Sequence, residues 1–335
     1  MNLDKIFSSH MVFARNLPVR IYGEGSGRVE ICFAGYKKTL ISDEDKWMVE
    51  FPPMEAGGPY CIEVNFIDKK IVLEDIYIGE VFLFAGQSNM QLKMNASNTP
   101  VEMYSSNDKL RIYSTDKIAG ADYYKTDDGW IVCKKECVPN LSALAYLTAN
   151  EISNKKDVAV GIITCYQGAS VIESWVPEKT FEKMNIDIPA DKKFIDHTFK
   201  EYTAWNGDGV LYSRALSQVI PYSISAVVWY QGESDASEEE GLVYCDELCA
   251  LIDVWRNDFA NENLPFVVVQ LADYIERVGK GWSLIQNAQM EVQSKRPYVK
   301  TVISSDVCEN DDIHPKTKDK LAKRISEAIL NDMNL

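Results

Sequence analysis

The chain has 335 residues, 46% hydrophobic and 25% charged, the balance of a globular protein with a sizeable core, which excludes disordered and fibrous architectures. That length suits one large domain with a small one beside it. Fifty acidic against thirty-five basic residues leave a formal charge of -15, a field that repels phosphate backbones and anionic lipid, so neither nucleic acid nor a membrane is expected as a partner.

Residues 1–7 lack the basic start and apolar stretch of a secretory signal, and no run approaches the ~20 apolar residues of a membrane span. The eight cysteines then read as reduced core thiols, and the expectation is a cytoplasmic protein. Up to about residue 78 the text is short apolar segments of period two, at 19–22, 28–33, 47–51 and 60–66, broken by Gly23, Gly25, Gly27, Pro52, Pro53, Gly57, Gly58 and Pro59. This pattern predicts a small β-sandwich over 1–78.

From 79 to 335 the rhythm becomes strand then helix, which predicts an α/β fold with a mostly parallel sheet flanked by helices. Continuous apolar runs at 81–85, 158–164, 226–230, 266–271 and 299–303 read as strands buried on both faces. Helices are expected from 142, over 244–259 and 282–293, and over 315–330. The last would turn Leu321, Ile325, Ala328 and Ile329 inward and its Lys and Asp residues to solvent. The least patterned stretch, 178–209, reads as a loop or lid. No pattern bears on oligomeric state.

Gly86-Gln87-Ser88-Asn89-Met90 lies where the strongest apolar run ends, which puts the serine at the carboxyl edge of the sheet, where open α/β sheets bind ligands. A serine nucleophile needs a base held by a third group. Of the three histidines, His10 falls in the β-rich segment and His197 in the expected lid. His314 follows Asp311 by three positions and precedes Pro315, a rigid junction with a carboxylate close by, read here as the first turn of the last helix. Two more runs end at the same edge. One enters Gln167 and Gly168, whose backbone amide would face a reacting oxygen; the other enters Gln231, whose side chain would add a donor.

On these residues the chain resembles the sialate O-acetylesterase-type members of the SGNH (GDSL-like) hydrolases. Gly-Gln-Ser-Asn-Met at 86–90, Trp-Tyr-Gln-Gly-Glu at 229–233 and Asp-x-x-His at 311–314 carry the likeness, which reaches nearly the whole chain. It implies an SGNH-type sheet and a serine esterase that removes acetyl groups from a carbohydrate, foremost an acetylated sialic acid, with a xylan-type or other acetylated sugar as the alternative. No cofactor and no metal are implied. Ser88 would be the nucleophile, His314 the base and Asp311 its orienting acid, with the adjacent Asp312 the other choice. The oxyanion would rest on the Ser88 and Gly168 amides and on Gln231, since Gly232-Glu233-Ser234-Asp235 replaces the Gly-x-Asn-Asp of general SGNH enzymes. Gln87, Glu233 and Trp175 are expected to face the substrate.

The same residues bear on other chemistries. Met90 stands where an α/β-hydrolase motif needs its second glycine. The acidic run Asp306, Glu309, Asp311 and Asp312 with His314 would suit a metal, but no His-Glu-x-x-His accompanies it. Glu233 and Asp235 would make a glycosidase acid pair. A non-catalytic carbohydrate-binding protein would use Trp175, Trp229 and Trp282 as sugar platforms.

Overall fold

The computed structural model describes residues 1–116, 129–189, 202, 204–277 and 279–332. Each strand expected before residue 78 forms. Val19–Glu24 pairs antiparallel with Asn2–Leu3 and Lys46–Phe51, while Gly27–Phe33 pairs with Tyr36–Ser42 and Gly57–Phe66. Strict alternation in Lys46–Phe51 buries Trp47, Val49 and Phe51 on one face. There Phe51 meets Phe33 and Trp47 meets Phe66, each with ring centroids 5.9 Å apart, so side chains from the two sets of strands share one core.

The boundary expected at residue 78 falls inside a single 17-residue strand, Lys70–Gly86. Its first half pairs antiparallel with Gly57–Phe66, and its second half lies parallel between Val160–Tyr166 and Ala226–Tyr230. The N-terminal strands and the large sheet therefore share a strand, with no linker between them.

Across the large sheet the order is Ile131–Cys133, Asn107–Ser114, Val160–Tyr166, Lys70–Gly86, Ala226–Tyr230, Phe266–Val269 and Val299–Val302. Only the first pair is antiparallel. All five runs read from the sequence are present, and two details differ. Val299–Val302 is an edge strand, only half-buried at its start, and the expectation of burial on both faces fails there for want of a second neighbour. Asn107–Ser114 was missed because it opens on Asn107, Asp108 and Lys109 and carries Arg111, which hide its apolar end.

Ala143–Lys156 begins at Ser142, whose Oγ accepts the Ala145 N–H at 3.2 Å. Glu238–Asp258 starts six residues before the expected 244, capped by Ser237 and carrying Glu238, Glu239 and Glu240 in a first turn that favours negative charge. Gly281–Lys295 forms nearly as expected. The last helix, Asp319–Glu327, begins four residues later than predicted, because Glu309 takes the Thr317 N–H at 3.0 Å and its hydroxyl at 2.7 Å and holds the preceding segment out of the helix. His314 therefore sits on a loop and not on a helical turn. Five cysteines are buried as expected, whereas Cys61 is exposed and Cys32 and Cys308 are half-buried. No described helix is long and apolar enough to cross a membrane.

Candidate active site

Parallel register aligns Gly86 with Tyr166 on one side and Tyr230 on the other, so three loops leave the sheet at one level. The Gln87 N–H donates to the Tyr230 carbonyl at 3.0 Å and the Gln167 N–H to the Gly86 carbonyl at 2.9 Å. Gly86 itself has φ +131°, and a Cβ there would lie 2.1 Å from the Tyr230 oxygen. Only glycine makes this turn from strand to serine. Ser88 opens the short helix Ser88–Gln91 at the floor of a cleft of about 660 Å³, and His314 lines the same cleft from the C-terminal loop.

The two meet: His314 Nε2 lies 2.8 Å from Ser88 Oγ. The His314 backbone N–H donates to Asp312 Oδ1 at 2.8 Å, and the Ile313 carbonyl accepts from Asn89 Nδ2 at 2.9 Å. Burial holds the His314 pKa below its usual 6.5; the Asp312 carboxylate opposes the fall and the Lys318 ammonium adds to it. The imidazole is accordingly neutral at pH 7 and free to accept a proton. Neither other histidine competes among the described residues. His10 pairs with Asp75 at 2.8 Å, and His197 lies outside the described residues, as do residues 190–201 and 203 of the expected lid.

Asp311 departs from expectation. It is exposed, and no hydrogen bond among the described residues links it to His314, whereas Asp312 touches the His314 backbone and its charge acts on the ring. Gln231 departs as well. Its side chain is wholly buried, with Nε2 committed to the Ser170 carbonyl at 2.8 Å and to Asp235, and Oε1 accepting from Tyr244 at 2.8 Å. It braces the loop and has no donor left for an oxyanion. Trp175 is wholly buried too, edge-on to Trp229 at 5.8 Å with its indole N–H on Ser170, so it presents no face to a sugar. Trp229 in turn meets Trp255 edge-on at 5.5 Å, and Trp282 is buried beneath Arg277. The sugar platforms of the binding-protein alternative are core.

Gly168 stands beside the serine: a Cβ on it would lie 3.6 Å from Ser88 Cβ. Its N–H donates to Gln91 Oε1 at 3.1 Å, so an acceptor oxygen of the protein occupies the place an oxyanion would take. Gln87 lines the cleft, but its Oε1 accepts the Gly232 N–H at 3.2 Å and faces that of Ser234 at 3.4 Å, which ties the serine turn to the neighbouring loop. Glu233 is on the cleft wall as expected. Its Oε1 accepts from Asn89 at 2.6 Å, Oε2 has no hydrogen-bond partner among the described residues, and burial pushes its pKa up to about 7. Asp235 is locked by Gln231 and the Ile172 N–H, which removes it from any acid pair with Glu233. Asp306 pairs with Arg324 and Glu309 with Thr317 and Asn98, so the acidic run does not converge on His314.

Sequence reasoning missed several residues of the cleft. Lys93, Tyr202, Trp205, Asn206 and Arg277 line it from irregular segments, and Gln91 from the end of the short serine helix, with no periodicity to reveal them. Lys318, expected on the polar face of the last helix, is wholly buried and donates to Asn89 Oδ1 at 2.8 Å. Asn89 stood inside the serine motif, and that was the one signal available for either.

A model of the family described as carbohydrate esterase, sialic acid-specific acetylesterase, matches residues 78–331. The chain belongs to this family. Curated sialate O-acetylesterases of Pongo abelii and Homo sapiens are each 24% identical to this family member, over 86% of its chain and 60% of theirs. It thus spans about three-fifths of the length of these curated relatives. A carbohydrate acetylesterase from Xanthomonas citri shares the fold, with a TM-score of 0.85 at 24% identity, covering 98% of this chain and 74% of that one. The family match begins at residue 78, inside the shared strand.

Proposed function

We propose that the chain is a metal-independent serine esterase that removes O-acetyl groups from carbohydrates, foremost from an acetylated sialic acid. The observation that carries this reading is the 2.8 Å contact between Ser88 Oγ and His314 Nε2 in the cleft. Ser88 attacks the acetyl carbonyl while His314 Nε2 takes the hydroxyl proton; the tetrahedral intermediate collapses as His314 returns that proton to the departing sugar oxygen. Water, deprotonated by the same nitrogen, then releases acetate from Ser88. The Ser88 and Gly168 amides would receive the oxyanion once the acyl oxygen displaces Gln91 Oε1 from Gly168.

Asp312 is the carboxylate that supports the imidazolium in this scheme. Asp312→Asn is expected to lower kcat by about 10- to 100-fold, with Asp311→Asn within about threefold of the parent. Steady-state kinetics on a chromogenic acetyl ester separate the two, and the opposite ranking returns the role to Asp311.

Two cations, Lys93 and Arg277, line the cleft of a protein whose formal charge is -15, and they favour an anionic sugar over a neutral one. Hydrogen bonds to charged groups contribute about 1.5–3 kcal/mol, so Arg277→Ala is expected to raise KM for an acetylated sialic acid by about 10- to 100-fold. KM for a neutral acetylated xylose should stay within about twofold. The direct test of the reading is acetate release from a panel of acetylated sugars by the purified chain. Turnover of none of them would end it, and equal turnover of neutral sugars would replace sialic acid as the substrate.

A further inference from the structure

Beneath the cleft lies a set of buried polar side chains that none of the acyl-transfer steps uses. Lys318 Nζ donates to Asn89 Oδ1 at 2.8 Å and sits 5.5 Å from the centre of the Tyr230 ring. Asn89 Nδ2 donates to Glu233 Oε1 at 2.6 Å and to the Ile313 carbonyl at 2.9 Å. The side chains of Lys318, Asn89, Tyr230 and Glu233 are all buried. An ammonium carries donors only, so only the oxygen end of the Asn89 amide can face it. With that end taken, both amide hydrogens face Glu233 and Ile313.

The Ile313 oxygen belongs to the same peptide plane as the His314 N–H, and that N–H donates to Asp312 Oδ1 at 2.8 Å. The plane is clamped at both edges, and Pro315 restricts His314 on its other side. Asn89 is at the same time the chain neighbour of Ser88. One side chain thus joins the two halves of a contact between residues 226 positions apart. Desolvating an ammonium to serve an amide is costly, and burial draws the Lys318 pKa down to about 8; apolar packing would fill the same space more cheaply.

We propose that Lys318 and Asn89 are positioning residues for the Ser88–His314 pair, Lys318 by orienting the Asn89 amide and Asn89 by holding the peptide on which His314 is mounted. The proposal rests on the esterase reading above. A displacement of about 1 Å at a reacting pair costs up to a hundredfold in rate. K318M and N89D are therefore each expected to lower kcat on para-nitrophenyl acetate by about tenfold or more, with KM within about threefold. The rate at which a fluorophosphonate labels Ser88 should fall in parallel. Because both residues act through one contact, the double variant should be little slower than the worse single one.

Wild-type kcat and labelling rate in either folded single variant overturn the proposal. So does a raised KM at unchanged kcat, which marks a substrate contact, and so do losses that multiply in the double variant. N89D keeps an acceptor for Lys318, so its turnover decides the matter even where K318M does not fold. Ser88→Ala run alongside separates the two levels: turnover that survives it defeats the esterase reading, whereas turnover lost in Ser88→Ala but intact in K318M defeats the positioning proposal alone.

Discussion

Ser88→Ala is expected to cut kcat for acetyl ester hydrolysis by at least about a thousandfold, about 4 kcal/mol of transition-state stabilisation. Among the described residues the hydroxyl is the group at the cleft floor in contact with the His314 imidazole, and in the proposed mechanism no acetyl-enzyme forms without it. Its removal leaves the fold intact: Ser88 is half-buried, and the turn that carries it is held by the Gln87 N–H on Tyr230 and by Gln87 Oε1 on Gly232. The check is turnover together with labelling by a fluorophosphonate, and both should vanish while the melting transition stays where it was. A variant that keeps even a tenth of the parent rate would show that a different group attacks the ester.

His314→Ala is expected to lower kcat by about a hundredfold or more, within the 10²–10⁴ range for loss of a general base. The pH dependence follows from the same group. The reactive form is the neutral imidazole, and burial keeps the His314 pKa below 6.5. So kcat/KM should rise with pH through an acid limb centred below 6.5 and level off by pH 7. Protonation abolishes the base, which makes activity fall, not rise, on the acid side. In His314→Ala that limb should disappear from the residual rate. A limb centred above 6.5 would mean that the imidazolium is stabilised by more than Asp312 offers.

Much of the molecule is legible in its amino-acid order. Five strands of the large sheet and four of the N-terminal segment stood out, because burial on both faces writes continuous apolar runs and burial on one face writes alternation. Ser88 and His314 were legible for a related reason. A polar motif at the end of an apolar run has few structural uses, and His314 was the one histidine next to both a carboxylate and a proline. Asn107–Ser114 escaped because polar and charged residues at its start and Arg111 in its middle break the apolar run that burial would otherwise write.

What the sequence alone determined about this protein is its layered α/β architecture, the family, and the pair of residues that would carry acyl transfer, since apolar period and compact motifs are local properties that survive without tertiary context. The folded chain decided everything that depends on which atoms meet across long loops. It set Asp312 and not Asp311 against the His314 backbone N–H, spent the donors of Gln231 on Ser170 and Asp235, sank Trp175 into the core, and drew Lys318 inside to hold Asn89. The physical reason is the same in each case: a side chain's hydrogen-bond partners and desolvation are set by neighbours distant in the chain, and residue type at a position records neither.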